Sequence, residues 1–156
     1  MALTTKPRWD KYDAYVGNFR AVLAADIAEN QANNVLAVGL NSSGAVVVGA
    51  GQTGVIGVMI AAVGSDIHGN LLDGGVNNKA GDVQDIGVNG EITNFRPFDP
   101  TKPTEVVAPK AGTKYYAHAD GSVNDVVGAD GVLVGYTVEA DRLIVHVDPV
   151  GSKSAT

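Results

Sequence analysis

The stretch Ser43-Gly-Ala-Val-Val-Val-Gly-Ala-Gly-Gln-Thr-Gly-Val-Ile-Gly-Val58 decides the fold once it is set beside Asp120-Gly-Ser-Val-Asn-Asp-Val-Val-Gly-Ala-Asp-Gly-Val-Leu-Val-Gly-Tyr136. Alone, Val46 to Val48 followed by Gly49-x-Gly51-x-x-Gly54 has the form of the strand and glycine-rich turn that hold a dinucleotide pyrophosphate at a helix N-terminus. The second stretch repeats the polar turn, the valine run, the Gly-Ala step and the return into Val-Leu-Val-Gly, yet Asp130 stands where Gly51 stood and the glycine spacing is lost. What the two share is a turn, a short strand, a glycine-marked bend and a second strand. A dinucleotide unit also needs a helix after its glycines, and Val55-Ile-Gly-Val-Met-Ile60 is β-branched with an internal glycine, a poor helix opening. The repeated phrase therefore reads as structure, and a nucleotide-binding enzyme using Gly49, Gly51 and Gly54 stands last among the functional readings.

The chain has 156 residues, one domain's worth, of which 45% are hydrophobic and only 18% charged. Its solvated surface must then be built largely from Gly, Ala, Asn, Thr and Ser, a surface suited to burial against other subunits. Cysteine is absent, which removes disulfides, zinc-thiolate sites and thiol nucleophiles. A net charge of −6 argues against a general nucleic-acid binder, because phosphate neutralisation needs a basic stripe. The sign is uneven: residues 1–20 carry Lys6, Arg8, Lys11 and Arg20 against Asp10 and Asp13, and no lysine or arginine occurs from Ala21 to Asn78. The longest apolar run, Val55 to Val63, falls far short of the ~20 residues that span a bilayer, and the N-terminus lacks a signal peptide's apolar core. Neither a membrane nor a nucleic acid is expected as a partner.

Residues 1–18 read as an N-terminal arm, 19–150 as a single β-rich body and 151–156 as a tail. The arm bears Trp9, Tyr12 and Tyr15, with Phe19 at the next step, a spacing that places them on one side if the segment is helical. Two uses are open for them: capping the chain's own core, or anchoring in a partner, where Arg8 and Lys11 would add charge to the aromatics. Phe19 to Ile27 fits a helical face through Phe19, Val22, Leu23 and Ile27, and a strand through Phe19, Ala21, Leu23 and Ala25; the leaning is to helix. Val35 to Leu40, Asn41-Ser-Ser-Gly44 and Ala45 to Val48 read as a hairpin with the small polar turn residues it demands. A C-terminal hairpin follows from Val132, Val134, Tyr136 and Val138 on one face, continued by Leu143, Val145 and Val147 after a turn at Ala140-Asp141. Ser65 to Lys79 reads as a long loop, and 95–110, with Pro97, Pro100, Pro103 and Pro109, as a proline-rich loop available to a partner. The expected fold class is mainly β: a small β-barrel-like or β-sandwich-like domain with an N-terminal arm.

Three His/Asp pairs lie two residues apart, Asp66/His68, His118/Asp120 and His146/Asp148. On a strand each pair shares one face, where imidazole and carboxylate can share a metal or a proton. Each also sits at a strand edge near a turn, where both residue types are ordinary solvent-facing groups. No HExxH, calcium-loop or GxSxG pattern occurs. No catalytic, metal or cofactor site is assigned, and an enzyme is not expected.

With these elements in order, the chain from about Val35 to Asp148 resembles the head decoration, or capsid cement, proteins of tailed bacteriophages. The resemblance is carried by Leu40-Asn-Ser-Ser-Gly-Ala-Val-Val-Val48, Gly54-Val-Ile-Gly-Val58, Lys79-Ala-Gly-Asp-Val-Gln-Asp-Ile86 leading into Gly90-Glu-Ile92, then Ala111-Gly-Thr-Lys-Tyr-Tyr116, Asp120-Gly-Ser122, Val134-Gly-Tyr-Thr-Val138 and Leu143-Ile-Val-His-Val147. Their order, more than any one phrase, carries the match; the aromatic arm and the proline-rich loop do not align to it. The resemblance implies a homotrimer made in the host cytoplasm that sits on the exterior of the virion and clamps neighbouring copies of the major capsid protein. Within that reading Arg8, Trp9, Lys11, Tyr12, Tyr15 and Phe19 are the candidate capsid-binding residues. A phage tail or baseplate protein is the alternative, since small β domains also assemble into rings there.

Overall fold

The computed structural model describes residues 7–11, 17–27, 35–60, 79–97 and 107–148. Its strands are β1 (Arg8–Lys11), β2 (Phe19–Val22), β3 (Val35–Leu40), β4 (Val46–Val48), β5 (Gly57–Ile60), β6 (Val83–Ile86), β7 (Asn89–Thr93), β8 (Lys114–Ala117), β9 (Val123–Asn124), β10 (Val132–Thr137) and β11 (Leu143–His146). They form a six-stranded sheet of order β1-β7-β11-β10-β8-β9, a three-stranded sheet β4-β3-β5 and a two-stranded pair β2-β6. Among the described residues there is no helix.

Strand β3 sets how these layers stack. Its unbroken apolar run, Val-Leu-Ala-Val-Gly-Leu, marks a strand covered on both faces. Alternation along it sends Val35 and Ala37 into one buried cluster with Ile92, Phe95, Tyr115, Val134, Leu143 and Val145, while Leu36 and Val38 enter a second with Leu23, Val46, Met59 and Ile86. The three-stranded sheet is therefore a middle layer between the six-stranded sheet and the β2-β6 pair. In the larger core Phe95 and Tyr115 meet edge to face with ring centroids 4.8 Å apart, a geometry aromatic quadrupoles favour. Isolated bridges from Leu23 to Val46 and from Val58 to Gly87 tie the smaller sheets together. The result is sandwich-like, with no closed barrel.

The two repeated phrases fold alike. In the first, β3 is flanked by β4 and β5; in the second, β8 is flanked by β9 and β10. They also touch. Ala37 N donates to Gly121 O at 2.9 Å and Ala50 N to Ala119 O at 3.1 Å. A β-carbon on Gly49 would overlap the Ala119 carbonyl oxygen and one on Gly121 would overlap the Val48 side chain, and both glycines hold positive φ, 92° and 93°. Only glycine permits this backbone-to-backbone approach. In the first turn Asn41 Oδ1 accepts from Ser43 N and Ala45 N, both at 3.0 Å, so the expected hairpin β3-β4 closes on an asparagine.

Several local expectations are corrected. The helical leaning for Phe19 to Ile27 fails: Phe19, Arg20, Ala21 and Val22 pair with Ile86, Asp85, Gln84 and Val83, and that long-range pairing outweighs local propensity. The C-terminal hairpin forms, with Leu143, Val145 and Val147 buried, but its first strand does not keep one face. Leu133 opposes Tyr116 whereas Gly135 opposes Tyr115, so β10 carries one extra residue and its faces exchange downstream. Thr137 is consequently buried, and Tyr136 and Val138 are exposed. Residues 8–11, read as part of an arm, form the edge strand β1 paired with β7. Tyr12, Tyr15, Asp66, His68, the loop at 65–78, the centre of the proline-rich loop at 98–106 and the tail lie outside the described residues.

Candidate interaction surface

Across the six-stranded sheet, cross-strand partners align Lys114, Tyr136, Ile144, Glu91 and Lys11 in a single row on five successive strands, β8, β10, β11, β7 and β1. Residues directly opposite share a face, so this row defines the sheet's outer surface. Leu133, opposite Tyr116, widens its apolar middle. Tyr136 is 52% exposed and Leu133 42%. The bulge in β10 creates this pairing of outward side chains, since without it Leu133 and Tyr136 would fall on opposite faces.

Toward β7 and β1 the row is ion-paired. Arg142 Nη1 donates to Glu91 Oε1 at 2.8 Å, and Lys11 Nζ lies 3.5 Å from Glu91 Oε2. The Arg142 hydrogen bond, helped by Lys11, holds the Glu91 carboxyl below its ordinary range, and Glu91 in turn raises Arg142.

Strand β1 reaches this surface through a second irregularity. Trp9 opposes Ile92 and Lys11 opposes Glu91, with a register shift between them. Residues two apart on a regular strand share a face; the shift instead turns Trp9 inward and leaves the Lys11 side chain 80% exposed. The indole packs against the larger core over Gly87 and Gly90. A β-carbon on Gly87 would overlap that ring. Phe19 lies elsewhere, packed against the second core, and Arg8 opposes Thr93 at the outer end of β1. The candidate residues do not form one aromatic stripe: Trp9 and Phe19 serve two separate cores and Lys11 faces outward.

A second feature is the loop of residues 125–131 between β9 and β10. His118 Nδ1 lies 3.0 Å from Asp130 Oδ1 and its Nε2 2.9 Å from Asn124 Oδ1, which also accepts from Val126 N at 3.0 Å. Asp130 Oδ2 accepts from Ala119 N at 2.9 Å, and Lys110 Nζ donates to Asp125 Oδ2 at 2.8 Å. The Ala119 amide and then His118 lower the Asp130 pKa; Lys110 lowers that of Asp125. The two-residue spacing of His118 and Asp120 does not make a pair, since Asp120 Oδ1 caps Ser122 through its N and Oγ, at 2.9 and 2.6 Å. His146 Nδ1 likewise meets Asn89 Oδ1, at 2.6 Å. Among the described residues no three His, Cys, Asp or Glu side chains gather as a metal site. Gly49, Gly51 and Gly54 lie in the bend between β4 and β5, and a strand follows them, so no helix N-terminus meets the bend.

Sequence reasoning missed Glu91, Arg142, Asn124 and Asp130. Only Asp130 had a visible signal, its substitution for glycine within the repeat.

These observations define an all-β protein whose outer sheet face carries an apolar patch between Lys114 on β8 and an ion-paired cluster on β7 and β1. No protein-family model matches the chain, and no curated protein does. A solved structure from Mycobacterium phage Patience is similar at 41% identity with a TM-score of 0.79, over 99% of this chain and 100% of the other. The chain belongs to the same family as that protein and is a phage protein.

Proposed function

We propose that this phage protein decorates the outside of the capsid, where it binds and stabilises the lattice of major capsid protein as a homotrimer. The observation that carries the reading is the outer face of the six-stranded sheet: Leu133 and Tyr136 stand exposed beside Tyr116 and Ile144, an apolar patch of the kind that marks protein contact. Full-length kinship with a phage protein supplies the setting. The work asked of such a protein is area and geometry. Three-fold symmetry repeats one modest contact three times per particle, and linked contacts gain avidity through effective concentration. Lys11 and Arg8 on β1, with Tyr12 and Tyr15 beyond it, are the proposed capsid contacts on the N-terminal side; Trp9 and Phe19 hold their strands from within.

The test is a count on purified virions by quantitative mass spectrometry. Decoration requires a copy number approaching that of the major capsid protein. A number far below it assigns the chain to a tail or baseplate ring instead. Particles lacking the protein should also release DNA at lower temperature than decorated ones.

A further inference from the structure

The outer face of β10 carries an apolar stripe, Leu133, Tyr136 and Val138, each between 42% and 52% exposed. Alternation after the bulge keeps Val138 on the side of Tyr136, and Tyr116 and Ile144 flank the stripe on the neighbouring strands. Charges stand at two of its borders. Lys114 lies opposite Tyr136 on β8, and Asp141 lies in the turn that joins β10 to β11. That turn is fixed on the body, since Arg142 N donates to Glu139 O at 3.1 Å and Phe95 N donates to Asp141 O at 2.9 Å. Both charged residues are exposed.

Among the described side chains, Lys114 and Asp141 are the two charged groups that neither bond nor pair within the chain. Lys11, Arg20, Lys79, Lys110 and Arg142 each meet a carboxylate of their own chain. Asp82 accepts from Lys79 N, Asp120 from Ser122, and Asp130 from the Ala119 amide. Covering the stripe takes water from both charged borders, and a charge desolvated without a counterpart is costly. The covering surface must then be apolar and bring an acid to Lys114 and a base to Asp141. A second copy of this same face has all three features, and its use leaves no charge on either copy unmatched. We infer that the β10 stripe is the contact between copies of this chain, with Lys114 of one copy paired to Asp141 of the next. This rests on the homotrimer of the decoration reading and adds the surface that builds it: in a ring of three, each copy turns its Lys114 border to one neighbour and its Asp141 border to the other.

The experiment is sedimentation equilibrium of the full-length protein over a range of concentrations. Wild type is compared with Lys114→Asp, Asp141→Lys, the double reversal Lys114→Asp/Asp141→Lys, and Leu133→Asp/Tyr136→Asp, each checked by circular dichroism. Wild type should self-associate. Each single reversal sets like charges together and should weaken association roughly tenfold or more, whereas the double reversal restores opposite charges between copies and should return to within about threefold of wild type. That rescue is specific to a self-contact, because a different partner would meet two wrong charges. The Leu133/Tyr136 double variant should be monomeric with the wild-type spectrum; if the spectrum is lost, the charge reversals decide alone. Wild type that is monomeric at every concentration, single reversals that associate as wild type does, or a double reversal no better than the singles overturns the contact. The decoration reading fails separately: a virion copy number far below that of the major capsid protein defeats it even where the rescue holds, and a matching copy number with monomeric free protein leaves decoration standing without this contact.

Discussion

At Trp9 one side chain joins the edge strand to the rest of the sheet. The indole fills the space left by Gly87 and Gly90 and packs on the larger core, so Trp9→Ala should cost about 2 kcal/mol or more in chemical denaturation, less than a fully buried tryptophan because the ring is half-buried. Glu91 and Asp130 give a second prediction. Their pKa values are depressed from ordinary values of 4.5 and 3.8, so the stabilisation they add is complete above those values and drains away as pH falls through the lowered folded-state values. Melting temperature should therefore drop on acidification below pH 4.5, and the profiles of Glu91→Gln and Asp130→Asn should each be flatter across that acid range. A wild-type melting temperature constant down to the lowest pH would show that neither interaction matters to folding. Trp9 also marks what the sequence conceals at this scale. Its aromatic character was plain, but the register shift that separates its face from that of Lys11 depends on β7, some eighty residues away, and no local pattern records it.

At the scale of elements, strand β3 does the most. Leu36 is fully buried in the smaller core while its neighbours Val35 and Ala37 are buried in the larger. Leu36→Ala should destabilise by about 3 kcal/mol, the usual range for a leucine cavity, and a smaller loss in urea denaturation would mean the surrounding side chains collapse into the gap. The apolar run of β3, the turn after it and the β10-β11 hairpin were legible because each is written in consecutive residues. Strand β2 was not, because Phe19 to Ile27 satisfies both periods and its partner β6 lies far along the chain. The outer face was half legible: Tyr136 stood out as an aromatic in a strand, but strict alternation from Val132 put it on the same face as Val134, which is buried. Gly135 marks the bulge that reverses it, and a lone glycine in a strand shows that something bends without saying which way the faces fall.

For the whole molecule, the sharing of β3 between two cores makes separate unfolding costly. Loss of the β2-β6 layer would expose Leu36 and Val38, and loss of the six-stranded sheet would expose Val35 and Ala37. Unfolding in urea followed by Trp9 fluorescence, which reports the larger core, should therefore coincide with unfolding followed by far-ultraviolet circular dichroism. Two separated transitions would show that the layers are independent.

The joint at Gly49 and Gly121 has a bearing on how such a chain can diverge. Its hydrogen bonds run from backbone to backbone, and the Val48 side chain closes on Gly121. Repacking the aliphatic side chains beyond Val48 leaves those backbone hydrogen bonds in place, so the two three-stranded units can drift in sequence without drifting in relative pose. The tolerance of the neighbourhood is set by two positions that carry no side chain at all. A library randomised at Gly49, Gly121 and the surrounding valines, selected only for folding, should return varied aliphatics at the valines other than Val48 and glycine at both joint positions.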